Sequence, residues 1–125
     1  MKNLTDAILE FGKVPEQLVR GTLFGLTSRI IARSPVDTGR FRNNWQASTG
    51  TPETTQKTGA IRSEEQVVAE ARAAVNKLEM GQDFYLSNNL PYAYRLEYGW
   101  SDQAPSGMLR VSIAELQQRM NEAAK

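Results

Sequence analysis

Apolar and polar positions alternate at helical spacing over most of the chain. Leu4, Ala7, Ile8 and Phe11 follow Asn3, an acceptable N-cap, and predict a helical segment within residues 1–14. Gly12-Lys13-Val14-Pro15 interrupts it, because proline lacks an amide donor and disfavours helix at the residue before it. A longer helix restarts at Pro15, where Val19, Leu23, Leu26 and Ile30 form one stripe that Phe24 and Ile31 widen. Ser34-Pro35 ends it. Gly21 and Gly25 leave bare backbone on this helix, which predicts close approach of another element, from the same domain or from a second subunit. Arg20 and Arg29 exclude a membrane dimerisation motif there.

The motif Pro35, Asp37, Thr38, Gly39, Arg40 reads as a turn, with Asp37 accepting amide hydrogen bonds and Gly39 free to take positive φ. Arg40 to Trp45 fits one helical turn, and Trp45 to Thr49 alternates as a half-buried strand that Gly50 closes. Residues 51–62 are rich in threonine, hold Pro52 and Gly59, and read as a flexible loop or arm. Ser63-Glu64-Glu65-Gln66 matches a capping box and opens a middle helix with Val67, Ala71, Ala74, Val75 and Leu78 on one face, capped by Gly81. Asp83 to Asn88 alternates as a strand. Asn89-Leu90-Pro91 breaks it and opens a short helix that turns Tyr92, Ala93 and Leu96 inward and ends at Gly99. After a loop from Trp100 to Gly107, Leu109, Ile113, Leu116 and Met120 mark a C-terminal helix. The expected fold class is α+β. Residues 1–125 form a single helix-rich domain with a long N-terminal helix, a small sheet of short strands, a middle helix and a C-terminal helix.

Composition narrows the chemistry. The chain has 125 residues, no cysteine and no histidine, so it offers no disulfide, no thiolate nucleophile and no imidazole base or ligand. Catalytic, cofactor-binding and metal sites are not expected. The net charge is +1, too small to announce a nucleic-acid or membrane partner. No apolar run approaches the roughly 20 residues of a membrane span, and the polar opening Met1 to Asp6 is no signal peptide. A soluble, non-enzymatic protein made in the cytoplasm is expected.

Two constellations remain. Tyr92, Tyr94, Arg95, Glu97, Tyr98 and Trp100 crowd three of the four tyrosines and one of the two tryptophans around one short helix. Only one side of such a helix can be buried within the chain, so these rings are either core or an interface with a subunit or partner. The second is positive: residues 1–45 carry seven Lys/Arg and four Asp/Glu, net +3, whereas the remainder carries net −2. Arg29, Arg33, Arg40 and Arg42 surround the turn, where they either contact DNA phosphates or form solvated surface and ion pairs. Glu97 with Asp102 lacks the sugar cleft of a glycosidase, and no calcium-loop, phosphate-loop or dinucleotide glycine pattern occurs.

Ser34-Pro35-Val36-Asp37-Thr38-Gly39-Arg40-Phe41-Arg42, followed by Trp45, resembles the Pro-Val-Asp-Thr-Gly-Arg-aliphatic-Arg motif of the small tail-completion or neck proteins of long-tailed bacteriophages. The stretch Asn88 to Ala93, Leu96 to Ser101, Gln103-Ala104-Pro105 and Gly107-Met108 is similar to the carboxyl half of that family. The likeness extends over residues 15 to about 120, but residues 51–66 do not align with the family. It implies a structural virion protein without a cofactor, forming a ring (hexamer or dodecamer) at the head–tail junction. Its partners would be copies of itself, a head connector or adaptor, and a tail terminator or tail-tube protein. Genomic DNA would pass through the channel without sequence-specific binding, past Arg29, Arg33, Arg40 and Arg42. No membrane is implied, and the location would be the virion neck or tail, with the host cytoplasm during assembly. The alternative is a small DNA-binding protein using the arginines around residues 29–42.

Overall fold

The computed structural model describes residues 16–36, 39–79, 81–98 and 107–123. The expected helical segment within residues 1–14, Asp37, Thr38, Gly99 and Trp100 lie outside them. The element order is α1 (Glu16–Ala32), α2 (Arg40–Asn43), β1 (Trp45–Thr49), α3 (Glu64–Lys77), β2 (Phe84–Asn88), α4 (Ala93–Glu97) and α5 (Leu109–Ala123). The fold is α+β.

Helix α1 buries Val19, Leu23, Leu26, Ile30 and Ile31, the stripe that its spacing predicts. Its last turn is tied to the sheet by a relay. Trp45 Nε1–H donates to Ser34 Oγ at 2.7 Å, and that hydroxyl donates to the Ile30 carbonyl at 2.9 Å. Pro35 is buried just beyond. Gly39 takes φ 78 and starts α2, whose single turn brings Phe41 edge-on to Trp45 with ring centroids 5.6 Å apart. The positive φ is what the turn motif requires, and a side chain at Gly39 would meet Ile61 Cγ2 at 2.9 Å.

β1 and β2 pair antiparallel, Trp45 opposite Asn88 and Thr49 opposite Phe84. Opposite residues share a face, so Trp45, Ala47 and Leu86 turn toward α3 and the core, while Gln46, Ser48, Tyr85 and Ser87 form the other, polar face. Helix α3 opens with the expected capping box: Ser63 Oγ accepts the Gln66 N–H, and the Gln66 side chain accepts the Ser63 N–H. Val67, Ala71 and Val75 are buried, and Ala74 is half-buried.

The helix end departs from expectation. α3 stops at Lys77 because Leu78 turns extended (ψ 125) to bury its side chain beside Val19, Leu23 and Val75. Gly81 does not cap it and sits in a later turn, where Gln82 N–H donates to Glu79 C=O at 3.0 Å. The close approach within the domain expected at the glycines of α1 is not seen either. Nothing lies within 4 Å of a side chain at Gly21, and only Arg29 Nη1 reaches 4.0 Å at Gly25. Among the described residues no element of this domain packs closely on that strip.

The main core joins α1, the Phe41–Trp45 pair, Val67 and Ala71 of α3, Leu90, Ala93, Met108 and Leu116. No helix among the described residues is long and apolar enough to cross a membrane.

Candidate functional site

The two segments that carry the motif likeness meet in space. Asn88 Nδ2 donates to the Phe41 carbonyl at 2.9 Å, and its Oδ1 accepts the Leu90 N–H at 3.3 Å. Tyr92 lies 6.3 Å from Phe41, ring centroid to centroid. One buried amide thus fixes where β2 ends, where α2 sits and how the chain enters α4. The turn-motif residues Pro35, Gly39 and Arg40 stand beside this junction in sequence, with Arg40 exposed and its Nη2 3.4 Å from Gln56 Oε1.

The aromatic segment divides between interior and surface. Ala93 is buried, and Tyr92 and Leu96 are half-buried against the core, as expected for the inward face of α4. Arg95 and Tyr98 are exposed, Tyr98 to 51%. The Arg110 guanidinium covers one face of the Tyr98 ring, 4.2 Å from its centroid. The Tyr94 side chain is outside the described residues.

Glu97 is placed differently from the sequence reading, which set it among surface contacts. It is 1% exposed, and its carboxylate closes the N-terminus of α5. Oε1 accepts the amides of Met108 at 2.9 Å and Leu109 at 2.8 Å, and Oε2 accepts the Arg110 amide at 3.0 Å. These are the donors that a helix start leaves without intrahelical partners, and a carboxylate is also favoured by the helix dipole. Gly107, at φ 86, lets the chain pass this carboxylate, because any side chain there would run into the carbonyl and carboxylate of Glu97. Glu97 therefore acts inside the chain. Its signal in the sequence was indirect: Met108, just before α5, is not a capping residue type, so the cap had to come from elsewhere.

The arginines also separate. Arg33 donates from Nη1 to Ser112 Oγ at 2.9 Å and from Nη2 to Glu115 Oε1 at 2.6 Å, joining α1 to α5. That hydrogen bond, with the charges of Arg33, Arg119 and Arg29, holds the Glu115 carboxyl below the ordinary glutamate value against a smaller opposing effect of burial. Arg42 pairs with Glu64 at 3.2 Å, while its Nε is buried without a hydrogen-bond partner. Arg29 is half-buried. Two of the four guanidinium groups are thus neutralised by the chain's own acids rather than assembled into one basic patch.

A group that sequence reasoning missed is the set of amide side chains holding the 51–62 segment. Gln46 Nε2 donates to Thr55 O at 2.6 Å, Asn89 Nδ2 to Glu53 O at 2.8 Å and to Thr55 O at 3.1 Å. Asn44 Oδ1 accepts the Lys57 N–H at 2.8 Å. Asn43, buried, accepts the Arg62 N–H at 3.0 Å and Nε–H at 2.8 Å, and Arg62 also pairs with Glu70. The segment holds neither helix nor strand, as expected of a loop, yet it is tied down along its main chain. The sequence signal was the run Asn43-Asn44 with Gln46 beside it: amides in and before a strand suit holding neighbouring backbone.

Among the described residues, no group of three or more Asp and Glu side chains is arranged to hold a metal ion. No protein-family model, curated protein or solved structure matches this chain.

Proposed function

We propose that this chain is a structural virion subunit of a tailed bacteriophage, assembling as a ring at the neck that completes the tail or joins the head connector to it. The observation that carries this reading is the junction of the two motif segments. Asn88 bonds Phe41, Tyr92 packs on Phe41, and Trp45 pairs with Asn88, so both segments belong to one structural unit. Such a unit sets the direction in which α4 leaves the core and turns Arg95 and Tyr98 outward. Exposed tyrosine and arginine beside a rigid base suit protein–protein contact. A ring requires a heterologous contact that closes on itself, and Tyr98 with neighbouring Trp100 is the proposed centre of that contact.

DNA passing through such a ring needs only weak, sequence-independent contact. The pairing of Arg33 with Glu115 and of Arg42 with Glu64 favours this over a dedicated DNA-binding role.

The test is particle joining in a phage assembly extract with Tyr98→Ala and Trp100→Ala chains. Joining should fail while each purified variant keeps the circular dichroism and melting point of the parent. Normal joining, or absence of the protein from the neck in electron micrographs of finished particles, would overturn the assignment.

A further inference from the structure

Helix α1 covers only one of its two weakly polar faces. Val19, Leu23, Leu26 and Ile30 point into the core. On the opposite side stand Leu18, Gly21, Gly25 and Ala32. Leu18 is 58% exposed, and nothing lies within 4 Å of a side chain placed at Gly21. From Gly21 to Ser28 the helix carries no charge. A helix face turned to water carries polar and charged residues, as α3 does with Glu65 and Arg72 and α5 with Gln118 and Glu122. A helix that lacks them on its outer side is one that another element covers.

Residues 1–15 run directly into this helix and lie outside the described residues. Their sequence has the matching pattern. Leu4, Ala7, Ile8 and Phe11 form one apolar stripe, while Asp6, Glu10 and Lys13 recur on the opposite side. Among the described residues nothing accounts for the burial of that stripe.

We propose that residues 1–11 fold back as a helix along the outer face of α1 and close it. Tether, register and shape favour this occupant. Gly12-Lys13-Val14-Pro15 has the length of a connection between two antiparallel helices. In an antiparallel pairing about the Val14–Pro15 bond, Phe11 comes level with Leu18, Ile8 with Gly21 and Leu4 with Gly25. The two branched side chains thus meet the two positions that have none, and Phe11 covers the exposed leucine. Side chains at the contact set how closely two helices approach, so the bare backbone of the glycines makes room for Leu4 and Ile8. A second copy would compete with a segment already held near this face at an effective concentration of about millimolar. The inference concerns contact within one chain and does not depend on the ring assignment.

Because the chain has no cysteine, introduced thiols report single pairs. The full-length variant Ile8→Cys/Gly21→Cys is oxidised in dilute solution and its disulfide located by mass spectrometry. The link within one chain should form about tenfold or more faster than in Asp6→Cys/Gly21→Cys, whose first thiol lies on the outer side of the segment. Equal rates would overturn the docking. Links formed mainly between chains would overturn it too and give the face to a second copy. Thermal melts read the same contact by sign. In the parent chain Gly21→Leu should lower the melting temperature, because the new side chain takes the space of Ile8. In the Leu4→Asp/Ile8→Asp background, where the segment no longer docks, Gly21→Leu should raise it, as replacing an exposed mid-helix glycine does. A shift of the same sign in both backgrounds would overturn the docking.

Discussion

Glu97 and Arg110 hold each other twice. The Arg110 Nε–H donates to Glu97 Oε2 at 3.0 Å, while Arg110 Nη2 donates to the Glu97 carbonyl at 2.6 Å. With three backbone amides on the same carboxylate, the end of α4 and the start of α5 become one rigid joint. That joint lies directly beneath Tyr98, whose ring the same guanidinium covers.

Glu97→Ala should therefore destabilise the fold by about 2–4 kcal/mol, since it removes a helix cap and leaves buried amides without an acceptor. Urea unfolding midpoints check this. Glu97→Gln should lose less, because one amide oxygen still accepts. A loss below that of an ordinary surface substitution would remove Glu97 from this structural role.

Gly39→Val should cost about 1–3 kcal/mol from backbone strain at φ 78, and more where the new side chain meets Ile61 Cγ2. Adding Ile61→Ala should recover the steric part and leave the strain, so the double variant should melt between Gly39→Val and the parent. Equal melting temperatures for all three would exclude both effects.

Trp45→Phe removes the indole donor to Ser34 but spares that hydroxyl's own bond to Ile30. Ser34→Ala instead strands the buried indole N–H. The second change should be costly for its size, at about 1–3 kcal/mol. Thermal melts of both variants, with tryptophan fluorescence reporting water entry in Ser34→Ala, supply the comparison.

The Arg33–Glu115 pair predicts a sign for pH dependence. The Glu115 carboxyl is depressed in the folded chain, first by its hydrogen bond from Arg33, so the folded state binds its proton less readily than the unfolded chain does. Its stabilisation is complete above the ordinary glutamate value and is lost as pH falls through the depressed one. The difference in melting temperature between the parent and Glu115→Gln should accordingly shrink on acidification across that interval. A gap that stays constant or widens would contradict the link between α1 and α5.

Several local devices of the fold were legible from the chain, though the expected Gly81 cap of α3 was not among them. Spacing placed the buried stripe of α1, the Ser63–Gln66 capping box fixed the start of α3, and Gly39 announced its positive φ. In each case the partners lie within a few residues, so sequence distance and spatial distance agree. What only packing decided involves residues brought together from afar. Leu78 left its helix for a pocket shared with Val19 and Leu23, and Glu97 crossed a loop to cap α5. Gln46 of β1 and Asn89, just beyond β2, closed on the same Thr55 carbonyl. A side chain's chemistry states what it can bond, but the choice among distant partners is made by the burial that the assembled core imposes on it.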